Sequence, residues 1–161
     1  MRERLRQIGS QERHTYRGTF VRCGYKCYGE HYHPTLLLKD IRDATHQLVT
    51  DHLWFNYTLG FLRLGELLKG DEVNFMARVA TYEKGLWMHR QQDVHLCRPT
   101  RVQRVVPNVE RASLPVDDHP ALIGYIMCAN ETFYKTNGRP FVSFYVQAFH
   151  QWQRQKSVGQ V

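Results

Sequence analysis

The chain contains no apolar run near the roughly 20 residues that a helix needs to cross a bilayer, which excludes a helical membrane protein. Its first residues, MRERLRQIGSQERH, are charged and have no apolar centre. They read as a polar arm over 1–12 rather than a secretion signal. Cysteine is sparse, with four irregularly spaced residues. That is not the framework of a small disulfide-linked secreted domain, so the expected location is a reducing cytosol. No Gly-rich phosphate loop is present, and Gly138-Arg139-Pro140 reads as a helix boundary. Internal repeats and low-complexity tracts are missing too.

Acidic residues are in deficit. Against 22 Lys and Arg stand 15 Asp and Glu, giving a formal charge of +7 and a pI near 9.4. Such a balance favours partners that carry phosphates or acidic surfaces. Arginine outnumbers lysine, which suits bidentate recognition of phosphate or carboxylate. Hydrophobic content of 42% is that of a globular protein, and 161 residues suffice for one domain with or without an appendage.

Periodicity predicts the elements. RHTYRGTFVRCGY alternates, with His14, Tyr16, Gly18 and Phe20 on one face and Thr15, Arg17, Thr19 and Val21 on the other. This is strand behaviour, and Gly18 at its middle predicts a bulge or bend. PTLLLKDIRD and QLVTDHLWFNYT read as a second and third strand joined by a turn over residues 43–46, with Leu48, Leu53 and Phe55 buried. LGFLRLGELLKGD changes period, and Leu59, Leu62, Leu64 and Leu67 suit a short helix ended by Gly70. DEVNFMARVATYEKG returns to alternation, with Val73, Phe75, Ala77 and Val79 inward and Asn74, Met76 and Arg78 outward. After a loop, VHLCRPTRVQRVV forms a fifth strand.

Residues 107–119 read as a linker with Pro107 and Pro115. Pro120 suits the first turn of a helix capped from Asp117, Asp118 or His119. Leu122, Ile123, Ile126, Met127 and Phe133 recur at helical spacing, and Asn137-Gly138 is a stop. Phe141, Phe144, Tyr145, Ala148, Phe149 and Trp152 form a second helical stripe. The expectation is a mainly β chain with α elements: a five-stranded OB-like barrel over 13–106 with a helix between strands three and four. A two-helix extension over 120–156 follows. The strand order is that of the OB-fold, and GELLKGDEVNFMARV resembles the entry to the fourth strand of many OB domains.

The pattern TFVRCGY, TLLLKDI, DHLWFNYT, LGEL, GDEV and ARV also resembles small OB-like proteins of phages and mobile elements of Gram-positive bacteria. Proteins of this size from such elements include anti-CRISPR proteins, so an alternative expectation is an inhibitor that binds a CRISPR nuclease or its guide RNA.

In an OB-fold, the loops joining strands one to two and four to five flank the ligand face. CGYKCYGEHYH occupies the first position and KGLWMHRQQDVH the second. Both combine rings with positive charge, the pairing that holds single-stranded nucleic acid by stacking and phosphate contacts. The expected binding residues are Arg17, Arg22, Tyr25, Lys26, Tyr28, Tyr32, Trp54, Arg78, Lys84, Trp87 and Arg90. The function read from this is a non-enzymatic single-stranded DNA- or RNA-binding protein without a cofactor. The apolar stripe of the second tail helix packs on the barrel or offers a surface for a second copy of the chain.

Two other chemistries compete for the same segments. Cys23, Cys27, His31 and His33 make a candidate zinc set, although C-x3-C followed by H-x-H requires a looped conformation. Asp40, Asp43, His46, Asp51 and His52 can be drawn as a metal-dependent nuclease cluster, although a solvated hairpin explains the same residues.

Overall fold

The computed structural model describes residues 2–85 and 91–158. Its elements are α1 (Glu3–Ile8), β1 (Arg13–Tyr28), β2 (His31–Asp43), β3 (Leu48–Asn56), α2 (Leu59–Leu62), β4 (Glu72–Lys84), β5 (Gln91–Arg104), α3 (His119–Ala129), α4 (Glu131–Thr136) and α5 (Ser143–Val158). The five strands form one antiparallel sheet in the order β3-β2-β1-β4-β5. The sheet is not closed among the described residues: β3 and β5 are its two edges. The expected barrel is therefore replaced by an open sheet, while the strand count, the helix between β3 and β4 and the helical tail are as expected.

By packing, the chain divides into two compact units. Unit 1 comprises residues 1–22, 37–55 and 67–110, and unit 2 comprises 23–36, 56–66 and 111–161. Strands β1 and β2 each start in one unit and finish in the other.

Unit 1 holds its core on one face of the sheet. Tyr16, Gly18 and Phe20 of β1 alternate inward, as do Val73, Phe75, Ala77 and Val79 of β4, and the register pairs Tyr16 with Phe75 and Gly18 with Val73. Phe55 of β3 meets Phe75 of β4 with ring centroids 5.3 Å apart. Two strands lie between them in the sheet, so the sheet curls to bring the rings together. Gly18 makes no bulge against β4, where the register runs unbroken through it. Its lack of a side chain makes room instead: a Cβ there would meet Ile41 Cδ1 at 2.9 Å and Leu38 at 3.1 Å. Leu48, expected inside, is 48% exposed at the start of β3.

The amino-terminal segment is a docked helix in unit 1. Leu5 is fully buried. Arg2 donates to the Tyr82 hydroxyl at 2.8 Å, to Asp93 Oδ2 at 3.0 Å and to the Val94 carbonyl at 3.0 Å, and Arg6 reaches Asp93 Oδ1 at 3.3 Å. Asp93 is buried, and these two guanidiniums supply the compensation that a buried carboxylate requires.

Unit 2 is built on α3, where every residue from Ala121 to Met127 is buried. A helix apolar on all sides is one enclosed by its neighbours. Asp118 caps it by accepting from the Ala121 amide at 3.1 Å, with His119 and Pro120 opening the helix. The first tail helix ends sooner than expected. Asn130 interrupts it, its side-chain amide donating to the Ile126 carbonyl at 2.8 Å and the Cys23 carbonyl at 3.1 Å. The short α4 follows and stops at Asn137-Gly138, with Gly138 at φ +67°. α5 packs against α3 at Gly124, where a Cβ would overlap the backbone carbonyl of Tyr145. Of the expected α5 stripe only Phe149 is buried, and Phe144 is 65% exposed. The helix before β4 is a single turn ending at Leu62, although Leu67 is buried as expected. Among the described residues, no helix is long and apolar enough to cross a membrane.

Candidate nucleic-acid interface

The segment CGYKCYGEHYH is a hairpin rather than a loop. β1 runs to Tyr28, Gly29 and Glu30 make the turn, and β2 starts at His31. Gly29 has φ +62°, which a glycine at the first of two turn positions adopts at no steric cost. The strand geometry spreads the candidate zinc set apart. Four residues of extended chain separate Cys23 from Cys27 by about 13 Å at 3.3 Å per residue, too far to share one ion. Cys23 is buried, Cys27, His31 and His33 are exposed, and all four cysteines are free. Among the described residues, no group of three or more His, Cys, Asp or Glu side chains could hold a metal. The same holds for Asp40, Asp43, His46, Asp51 and His52.

Of the hairpin tyrosines, Tyr25 belongs to the interior of unit 2 and Tyr32 is half-buried beside it. Tyr25 is 4% exposed and its hydroxyl donates to the Pro140 carbonyl at 2.6 Å. Its ring meets Tyr32 and Tyr134 edge-on, each at 5.1 Å, and the Arg139 guanidinium lies over it at 5.0 Å while donating to the Tyr25 carbonyl at 3.1 Å. Tyr32 in turn meets Tyr145 at 5.0 Å. Burial pushes the Tyr25 phenol up to about 12, with the Arg139 charge opposing the rise, and burial raises Tyr32 also. Tyr25 is thus expected to stack but in fact packs. Tyr28, 62% exposed, Lys26 and His33 stay on the surface, with the Tyr28 and His33 rings 5.1 Å apart.

In unit 1 the structure brings together a set of arginines. Arg13 and Arg78 are cross-strand partners. Two like charges directly opposite one another destabilise a sheet. Arg13 is held by the backbone carbonyls of Met76 and Arg98 and by Thr100 Oγ1. β5 carries two irregularities against β4, one between the Asn74 and Met76 pairs and one between the Met76 and Arg78 pairs. Arg98 and Arg101 sit in them, with left-handed φ of 51° and 50°. A left-handed non-glycine residue costs roughly 1–2 kcal/mol, and bulges re-aim side chains. Among the described residues, the side chains of Arg78, Arg98 and Arg101 make no hydrogen bond or ion pair. Four acidic groups of the unit are answered elsewhere: Asp93 by Arg2 and Arg6, Asp71 by Arg104, Asp43 by Arg4 and Glu72 by Arg17.

Arg22 lies 5.4 Å over the ring of Trp54, which is 40% exposed. Arg17 donates to Asn74 Oδ1 at 3.2 Å. Trp87, Arg90 and the side chain of Lys84 lie outside the described residues, and with them the expectation that their loop joins the β1–β2 tip on one side of the sheet. Arg13, Arg98 and Arg101 were not among the expected binding residues. The signal for two of them was Pro99, since a proline inside a strand marks an edge or a bulge, and β5 has both. No known protein family, curated protein or solved structure matches the chain.

Proposed function

We propose that the protein is a non-enzymatic binder of single-stranded nucleic acid, DNA or RNA, working through the basic strands of unit 1. The observation that carries this reading is the cluster of Arg13, Arg78 and Arg98: like charges placed side by side, two of them with no side-chain hydrogen bond or ion pair among the described residues, while Asp43, Asp71, Glu72 and Asp93 are engaged by other arginines. Such a set is held at a cost and is relieved by an anionic partner with closely spaced charges. Trp54, with Arg22 over its ring, adds a face on which a base stacks. The strand order with its helix between β3 and β4 supports an OB-like Greek-key sheet opened between β3 and β5. A cytosolic setting and an origin in a phage or mobile element of Gram-positive bacteria complete the proposal.

The second reading is an inhibitor that binds a protein such as a CRISPR nuclease, or its guide RNA. The exposed Phe133 and Phe144 of unit 2 favour a protein partner, or a second copy of the chain. Fluorescence anisotropy with a labelled oligothymidylate at several salt concentrations tests the first reading. Affinity is expected to fall steeply and log-linearly with salt. Affinity that is absent at low salt, or insensitive to salt, rejects it.

A further inference from the structure

Unit 1 contains a cavity of about 450 Å³ that includes Arg17, Arg101, His46, Asn74, Gln103 and Tyr16 in its lining. That is the size of a small-molecule site. Its lining comes from β1, the β2–β3 turn, β4 and β5, so the fold assembles it from residues far apart in sequence. Among the described residues Arg101 has no side-chain partner, and its backbone, like that of His46 at φ +67°, is left-handed. Among the described residues Arg17 is tied only by the Asn74 bond and by an exposed ion pair to Glu72 at 3.7 Å, which solvent screens. Asn74 and Gln103 are cross-strand partners. The Asn74 carbonyl oxygen accepts from Arg17, which leaves its amide hydrogens available. The Tyr16 hydroxyl is buried with no hydrogen-bond partner among the described residues.

One carboxylate also lines the cavity, that of Asp43. Its Oδ1 accepts from the Thr45 amide at 2.9 Å, the Thr45 hydroxyl at 2.7 Å and the Gln47 amide at 3.1 Å, and its Oδ2 is 3.7 Å from Arg4. Its charge is thus answered by the turn and by α1, and the two arginines set the sign of the site.

We propose that this cavity takes the phosphate of a nucleotide, with the guanidiniums of Arg17 and Arg101 on the phosphate oxygens and the amides of Asn74 and Gln103 on the attached sugar or base. Two planar forks converging on one anion is the arrangement that recognises phosphate, and the volume leaves room for the nucleoside. The inference rests on the nucleic-acid reading for its ligand class and goes beyond it by naming a discrete phosphate subsite. The phosphate comes from the phosphorylated end of a strand or from a free nucleoside monophosphate.

The test uses the full chain and its Arg101→Gly variant, a change that suits a left-handed backbone and so is expected to keep or raise the thermal midpoint. Anisotropy compares a short oligothymidylate bearing a 5′-phosphate with the same strand bearing a 5′-hydroxyl, both labelled at the other end. Calorimetry measures thymidine monophosphate, with inorganic phosphate as a second probe. The expected result is that the 5′-phosphate tightens strand binding about tenfold, equivalent to about 1.4 kcal/mol, and that Arg101→Gly abolishes the difference. If both strands bind equally and the mononucleotide does not bind, the subsite is overturned while strand binding stands. A difference that persists in Arg101→Gly overturns it too. If the mononucleotide binds in an Arg101-dependent way and no strand binds, the subsite stands with the free nucleotide as its ligand, and the strand reading falls.

Discussion

The two halves of β1 have similar sequences and different fates. Up to Arg22 the strand belongs to unit 1, and from Cys23 onward it belongs to unit 2. Both halves place rings and cations within a few residues of one another. In the first half the inward rings, Tyr16 and Phe20, alternate with arginines that remain at the surface. In the second half Tyr25 is enclosed by Tyr32, Tyr134 and Arg139, and Lys26 and Tyr28 alone continue the exposed character. An aromatic next to a cation is therefore no sign of a ligand face by itself. The sign is a cation, such as Arg78 on β4 or Arg98 on β5, whose side chain makes no hydrogen bond or ion pair among the described residues.

That contrast can be broken most forcefully at Tyr25. Tyr25→Ala is expected to cost about 3–5 kcal/mol, the usual range for emptying an aromatic site, measured by urea unfolding. Strand affinity and its salt slope, read where the variant is folded, are expected to stay unchanged. A stable variant that loses strand binding would move the interface to the hairpin.

Gly124→Ala tests unit 2 from its other side. The new methyl overlaps the Tyr145 carbonyl, and forced overpacking costs about 1–3 kcal/mol, against which alanine's better helix propensity returns up to about 1 kcal/mol. The expected outcome is a lower thermal midpoint and faster amide exchange in α3 and α5. An unchanged midpoint would mean that the two helices do not cross this closely.

The buried phenols give each unit its own alkaline signature. Burial pushes Tyr16 and Tyr25 from 10.0 up to about 12, with the Asp43 charge adding to the rise at Tyr16. The folded protein then holds these protons in a range where the unfolded chain has released them. Their contribution is complete below pH 10 and is lost as the pH rises towards about 12. Unfolding midpoints across that window are expected to fall, and Tyr25→Phe to remove part of the slope. A midpoint flat across the window would contradict the burial of both rings.

The smallest effects on stability are expected at the arginines. Arg78→Ala and Arg98→Ala are expected to stay within about 0.5 kcal/mol of the parent, and Arg78→Ala relieves the repulsion with Arg13. Each is expected to weaken strand binding for all sequences alike and to lower the salt slope by about one. Unchanged slopes in both variants would remove these residues from the interface.

Much of the fold was legible where local pattern and burial agree. The inward set Val73, Phe75, Ala77 and Val79, a cap within residues 117–119 and the stop at Asn137-Gly138 follow from alternation, capping chemistry and turn preference alone, and the structure places the cap at Asp118. What was illegible depended on distant partners. Tyr25 is enclosed by residues more than a hundred positions away, and the break at Asn130 depends on a bond to the Cys23 carbonyl. The candidate site was half visible. Arg17 and Arg78 alternate outward as expected, whereas Arg98 and Arg101 owe their placement to register shifts of β5 that no periodicity reveals.

The most direct measurement is an amide chemical-shift map of the full chain titrated with an unlabelled oligothymidylate at low salt. The account predicts shifts along residues 13–22, on β4 around Arg78, on β5 across residues 97–104 and at the Trp54 indole. Tyr25, Tyr32 and α3 are expected to stay in place. Shifts confined to residues 23–36 and the tail helices, or no shifts at all, would contradict it.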